Sequence, residues 1–388
     1  MSHYFISKRG RALQLVFIAM MALLSFFGHA QESKPIALSS VFEQGSLPVS
    51  SYTQFRKDLN NSLSLESILE NTDVMTATDK GVINFGFVDE SYWFSFLIQN
   101  DLPLSKDFLL EIDYPLLDVI DFYVLEPKEE NTVLQEVHTG DSLYFKERPV
   151  DQASFVFPLS LAPKKTIRIM VKVKTESAMQ VPITLWEPMT FNSATQAKSL
   201  FFGSIMGIFA IMALYNLFLF MSIRDSSYFY FSLCLCGYII FEATLSGIGY
   251  QVFWPSLPNW NEIAVIVSAN TSLAALLMFS RNFLSMETSL PRAHTWFRLL
   301  AYVGFLNVSL SLVLPYEIMI LATLAYALVA PFLGYCAGIY LWKSGFKPAR
   351  YYTVAFSTVI AAVTIVVFAK VRILPTSFFS ENAIHIGA

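Results

Sequence analysis

Cysteine is scarce in this 388-residue chain: Cys234, Cys236 and Cys336 are all there is, and none precedes residue 234. A disulfide framework is therefore excluded for the first half. The Cys-x-Cys pair at 234/236 lies in an apolar stretch without a nearby histidine, which reads as packing rather than a metal site. Histidine is rare as well, five residues against 35 Phe and 18 Tyr. Charge is low, with 14% Asp, Glu, Lys and Arg where a soluble domain has about 25%. With 54% hydrophobic residues and a mean hydropathy of +0.50, one homogeneous soluble domain is excluded. There is also no Walker loop, G-x-G-x-x-G, H-E-x-x-H or G-x-S-x-G motif. The expectation is a chain that is not an enzyme and carries no cofactor and no metal.

The net charge of −4 conceals three compartments. Residues 1–30 hold Lys8, Arg9 and Arg11 and no acid. Residues 31–200 hold 14 basic and 24 acidic residues, a net of −10. Residues 201–388 hold 9 basic and 6 acidic residues, a net of +3. No basic patch suited to nucleic acid emerges. The basic start, the apolar run Leu13–Phe27 and the small-x-small exit Gly28-His29-Ala30 form a secretory signal peptide, residues 1–30. The chain from Gln31 onward is expected to be exported.

From Phe85 the apolar pattern has period two. Tyr92, Phe94, Phe96 and Ile98 share one face of a strand preceded by Asp89-Glu90-Ser91 and closed by Asn100-Asp101-Leu102-Pro103. Further strands are expected at 108–113, 119–125, 132–137, 155–161, 167–173 and 181–185. Short strands with turns every 8–12 residues argue for an all-β jelly-roll or β-sandwich over residues 31–195. The stretch before residue 79 is less regular, with one short helix expected at 64–70.

Six apolar segments succeed the sandwich, at 199–221, 228–247, 263–281, 298–315, 318–342 and 351–369. Each is near the ~20 residues that a ~30 Å hydrocarbon core requires. Residues 199–388 therefore read as an all-α membrane bundle. The expected inner loops carry Arg224, then Arg281, Arg292 and Arg298, then Lys343, Lys347 and Arg350. The outer loop 248–262 has no Lys or Arg, and Lys370 and Arg372 are the outer basic residues after the first span. That asymmetry puts the sandwich outside. After Pro375 the chain turns apolar again at 383–388, as a seventh helix would begin.

Aromatic side chains could stack on a sugar-like ligand. Tyr92, Trp93, Tyr144 and Trp186, with Arg148, are the candidates, against the plain alternative that strand aromatics fill the core. Tyr123 and Asp141 are further members of the same set. Within the membrane, Glu242 is a costly carboxylate, and Lys370 lies at similar depth. Asn216, Asn270 and Asn307 suit hydrogen bonds between helices.

The strings NFGFVDESYWFSFLIQN (84–100), LLEIDYPLLDVIDFYVL (109–125), HTGDSLYFKERPVDQASFVFPLSL (138–161) and IRIMVKVKTESAMQVPITLW (167–186) carry a more specific signal. With FFGSIMGIFAIMALYNLFLFMSIRDSSYFYFSLCLCGYIIF (201–241), they resemble bacterial seven-transmembrane receptors with diverse intracellular signalling modules, with that family's type 2 extracellular domain. The resemblance implies a jelly-roll sensor binding a carbohydrate or other small molecule. It also implies a bundle in the bacterial inner membrane that relays to a cytoplasmic diguanylate cyclase or histidine kinase. No such output matches here, and ENAIHIGA (381–388) resembles the start of the family's seventh helix. The expectation is the sensor-and-relay part of a longer receptor. The rivals are a periplasmic protein-interaction module on a membrane anchor, a transporter with an exported cap, and an intramembrane enzyme using Ser246.

Overall fold

The computed structural model describes residues 34–70, 74–78, 83–127 and 132–370, apart from several side chains in the last helix. The stretches expected to form a signal peptide and to begin a seventh helix lie outside the described residues, as do Arg372 and the side chain of Lys370.

The N-terminal part is built from thirteen described strands, most of them long enough to show the alternation read in the sequence. β1 (Ile36–Ala37), α1 (Leu38–Gln44), β2 (Ser46–Pro48), β3 (Gln54–Asp58), α2 (Leu65–Glu70) and β4 (Thr76–Ala77) come first. β5 (Asn84–Phe87), β6 (Ser91–Gln99), β7 (Lys106–Ile112), β8 (Val119–Glu126) and β9 (Thr132–Thr139) come next. β10 (Phe155–Leu161), β11 (Thr166–Lys174), β12 (Ala178–Gln180) and β13 (Ile183–Trp186) complete the set. One sheet has the order β4-β3-β6-β11-β8-β9, with β1 parallel to the end of β6. A second has the order β10-β7-β13-β2, and β12 pairs with β5.

The two large sheets face each other. Ile169 lies opposite Phe96 and Val171 opposite both Phe94 and Phe122. Phe122 then stacks on Phe157 of the other sheet, ring centroids 4.0 Å apart. This is the expected β-sandwich, closed by apolar burial. The outer face of β6 is covered too: α2 lays Leu65 and Ile68 over Trp93, Leu125 and Met170. β1 to β4 have two to five residues each, too few for a period to register, so that region reads as irregular in sequence.

Helices fill the second part. α3 (Pro188–Ile223), α4 (Ser226–Leu245), a π-helical turn (Gly249–Phe253), α5 (Pro258–Phe283), the one-turn α6 (Met286–Ser289), α7 (Pro291–Leu310), α8 (Tyr316–Lys343) and α9 (Lys347–Lys370) occur in that order. α3 starts at Pro188, within the stretch that reads as the end of the sandwich. Its first turns, Thr190 to Lys198, are largely polar and give no apolar signal; Pro188 at the first helical position and Glu187 as N-cap start it, with Glu187 accepting from Thr190 N at 2.7 Å.

By length and composition α3, α4, α5 and α8 can each cross a membrane. α7 and α9 are long as well, but basic residues open them: Arg292 and Arg298, and Lys347 and Arg350. α5 is the centre of the bundle, with 61% of its most apolar window buried against 6% for α3. Sandwich and bundle share one apolar core: Tyr114, Leu116 and Leu117 cluster with Val265 and Ile266 of α5 and Tyr316, Met319 and Ile320 of α8.

Candidate functional site

The base of the sandwich meets the outer end of the bundle. The loop after β9 makes its turn against the loop before β8: Asp141 N donates to Leu117 O at 2.9 Å, and Ser142 N to Asp118 O at 3.2 Å. Gly140 permits this, since a Cβ there would lie 1.9 Å from Asp118 O. The approach brings Asp118 and Asp141 close enough for each carboxyl to feel the other's charge. Asp118 also accepts from Glu176 N at 2.6 Å.

From the membrane side, the π-helical turn inserts. Tyr250 is 1% exposed; its hydroxyl donates to Leu143 O and its ring sits edge-on to Phe145, centroids 5.6 Å apart. Phe145 N donates to Pro255 O at 3.2 Å. Gly247, at φ +75°, makes the entry fit, because a Cβ would lie 2.7 Å from Pro115 Cβ and 2.9 Å from Ala153 O. Trp254 Nε1 donates to Asn261 Oδ1 at 3.0 Å, and Asn261 Nδ2 to Asp141 Oδ2 at 3.4 Å. Ser177 and Tyr316 hydroxyls pair at 3.1 Å. A π-turn is rare and concentrates at functional positions.

Arg148 lies in the middle of this contact, 6% exposed. Its guanidinium stacks against Phe155 at 4.2 Å, Phe145 at 4.7 Å and Tyr250 at 5.8 Å. Nη1 donates to Gln152 O at 3.2 Å and to Ala153 O, while Nε and Nη2 have no hydrogen-bond partner among the described residues. Burial draws the Arg148 pKa down to about 10 against the opposing charge of Asp141. Burial, together with the neighbouring Asp118, pushes the Asp141 carboxyl well above the usual carboxylate range. Burial raises Asp118 too.

A second tie joins the sandwich to α3. Glu111 accepts from Ser154 Oγ at 2.7 Å and from Trp186 Nε1 at 2.8 Å, two residues before the helix begins. Lys198 of α3 reaches Asp113 at 2.8 Å. Replacing Glu111 with Ala strands two donors, which costs about 1–3 kcal/mol. Thermal melting of the full chain is expected to fall by several degrees. Lys198→Ala, at an exposed pair, is expected to change it little.

The sequence candidates do not gather in one pocket. Tyr92 is in the core, stacked on Phe85 at 4.3 Å. Trp93 lies under α2 on the opposite face, 6.1 Å from the Tyr123 ring, with Lys172 Nζ 5.4 Å from its own. Tyr144 is exposed. Trp186 abuts α3 through Phe191. Only Arg148, with Asp141, enters the junction. In the bundle, Asn270 Nδ2 donates to Thr323 Oγ1 at 2.7 Å and Asn307 Nδ2 to Asn270 Oδ1 at 3.2 Å, joining α5, α7 and α8. Asn216 bonds its own helix at Met212 O. Glu242 is buried on α4, one turn beyond Tyr238. An apolar cavity of about 590 Å³ opens between α7 and α8, lined by Trp296, Leu300, Val303, Leu333 and Tyr340 among others; none of the candidates lines it.

Sequence reasoning passes over Tyr250, Asn261 and Asp118. The available signal is the aromatic, uncharged outer loop GYQVFWP (249–255), which reads only as an interfacial marker.

Two family models match the chain in order. The one described as 7TMR-DISM extracellular 2 covers residues 50–187, and the one described as 7TM diverse intracellular signalling covers residues 198–388. The chain belongs to the 7TMR-DISM family. As a member it is a transmembrane sensory receptor with an extracellular N-terminal domain. The border between the two 7TMR-DISM matches falls in the opening turns of α3, where the sandwich hands over to the bundle. No curated protein matches the chain.

Proposed function

We propose that this 7TMR-DISM receptor sits in a bacterial inner membrane after loss of its signal peptide. Its periplasmic sandwich takes a carbohydrate-like or other small molecule. The bundle passes the occupied state to a cytoplasmic output of diguanylate cyclase or histidine kinase type. The observation that carries this reading is the seating of Tyr250 in the base of the sandwich. A shared core and a caged arginine make the junction a unit with few intermediate arrangements, since packed interfaces shift between discrete states. A ligand moves that equilibrium by its differential affinity for the two states.

The test uses the full chain in lipid nanodiscs against a panel of glycans and metabolites. A ligand that binds saturably and alters hydrogen exchange at the cytoplasmic ends of α4 and α5 supports the relay. Saturable binding that leaves those ends unchanged defeats it. The alternative of a protein-interaction module draws on β9, a sheet edge carrying Val133 and Leu134 exposed at 44% and 54%, where a partner strand could add. No binding across the panel, with capture of a defined periplasmic partner that β9 substitutions abolish, favours it.

A further inference from the structure

The far end of the bundle carries a feature that the junction does not use. α5 leaves the sandwich near Asn261 and ends at Phe283, and α8 leaves it at Tyr316 and ends at Lys343. The sandwich is extracellular, so Lys343 and the start of α7 at Pro291 lie at the cytoplasmic end. The cavity of about 590 Å³ between α7 and α8 opens there. Its size falls among small-molecule sites, which run from about 300 to 1,000 Å³. Its walls are aliphatic and aromatic side chains with one thiol, Cys336, and no charged residue among the described ones lines it.

Each wall runs out into a cation. On α7, Arg292, Trp296, Leu299 and Val303 recur at spacings of four, three and four, which puts them on one helix face. The last three line the cavity. On α8, Cys336 and Tyr340 line it, and Lys343 follows on the same face. The helical rise therefore sets Arg292 and Lys343 at the cytoplasmic mouth. Both are exposed, and neither is in an ion pair among the described residues. The acids at this end are Asp225 before α4 and Glu287 in α6, and neither lines the cavity.

The depth fits one leaflet. From Arg292 to Val303 the helix rises about 16 Å, and from Leu333 to Lys343 about 15 Å. Each is about half of a 30 Å hydrocarbon core. Trp296 and Tyr340 lie just inside the cations, at the level where amphipathic rings favour the headgroup boundary.

We propose that this cavity binds an anionic phospholipid of the inner leaflet, with an acyl chain against Trp296, Leu300, Val303 and Leu333 and the phosphate headgroup between Arg292 and Lys343. Basic pockets between membrane helices on the cytoplasmic side take anionic headgroups. The apolar wall takes the chain, and the unpaired cations select the charge. A second copy of this chain suits the cavity less, because a twofold axis through it would set the same cations against each other.

Trp296 supplies the readout. The full chain is placed in phosphatidylcholine nanodiscs holding a small fraction of lipid brominated on its acyl chains, either phosphatidylglycerol or phosphatidylcholine. Bromine quenches tryptophan fluorescence on contact, and subtracting the signal of Trp296→Phe isolates the Trp296 share. One cation near the surface favours an anionic headgroup by about fivefold. Brominated phosphatidylglycerol is therefore expected to quench that share at a mole fraction on the order of tenfold lower than brominated phosphatidylcholine. The double variant Arg292→Gln/Lys343→Gln is expected to bring the two lipids together, and the exposure of both residues means that no packing is lost. Arg292→Lys, which keeps the charge, is expected to retain the preference. Arg224→Gln, at the end of α3 and outside the cavity, is expected to leave it unchanged.

Three results overturn the proposal. The first is equal quenching by the two lipids in the natural chain. The second is a preference that Arg224→Gln lowers as far as the double variant does, which is general surface charge and not a site. The third is a Trp296 share that neither lipid quenches, which means that protein fills the cavity. The relay is read at the sandwich end by hydrogen exchange, so none of these outcomes bears on it.

Discussion

Tyr250→Ala is expected to release the bundle from the sandwich while both remain folded. The side chain is 1% exposed, touches Phe145 and Arg148, and donates to Leu143 O. Truncating a buried aromatic costs about 3–5 kcal/mol, which is more than a hundredfold in the docking equilibrium. The loss also removes one of the three rings around the Arg148 guanidinium. Hydrogen exchange at Phe145 is expected to quicken by about two orders of magnitude, with β6 and β11 unaffected. Tyr250→Phe keeps the ring and leaves one carbonyl unpaired, so its effect is expected to be about 1 kcal/mol. Equal effects from the two substitutions contradict the packing account.

Gly140→Val is expected to be the most damaging single change in the sandwich. Its first added atom would lie 1.9 Å from Asp118 O and 2.6 Å from the carbonyl carbon. These are backbone atoms bounded by the Asp141 and Ser142 amide bonds, so neither side can yield without breaking them. The cost is expected to exceed about 4 kcal/mol, or a fall in melting temperature on the order of 10 °C for a domain of this size. Thermal unfolding of the full chain in nanodiscs reads it directly. Gly203→Ala is the control, because nothing among the described residues lies within 4 Å of the added carbon. A Gly140→Val protein that melts with the natural chain removes the basis for placing Asp141 against Asp118.

Much of the architecture is visible in the residues themselves. β6, β8, β10 and β11 are visible because each turns an apolar face into the space between the sheets, as Phe94, Phe122, Phe157 and Val171 do. The membrane helices are equally visible, since lipid imposes a length and an apolar composition. The first four strands are not, because segments as short as Ile36–Ala37 owe their extended form to pairing with β6. The opening of α3 is hidden by its polar turns, which bond the sandwich through Lys198 and Asp113.

The junction is the least visible feature, for a physical reason. Its parts come from loops distant in sequence: Asp118, Asp141, Arg148, Tyr250 and Asn261. No period links them, and only the fold brings them together. Arg148 stands out as a candidate because an arginine among aromatics invites a binding role. Its partners in the structure are this chain's own Phe145, Phe155 and Tyr250. Tyr92 and Trp93 stand out for the same aromatic reason, and burial on opposite faces of one strand accounts for them.

The most direct test of the account is hydrogen exchange at Phe145 in the full chain, compared with Gly247→Val. If sandwich and bundle act through one seated junction, this amide exchanges slowly in the natural chain. It then speeds up by about a hundredfold or more when a Val side chain at position 247 meets Pro115 and Ala153. Rapid exchange at Phe145 in the natural chain, or protection that Gly247→Val leaves in place, contradicts the account.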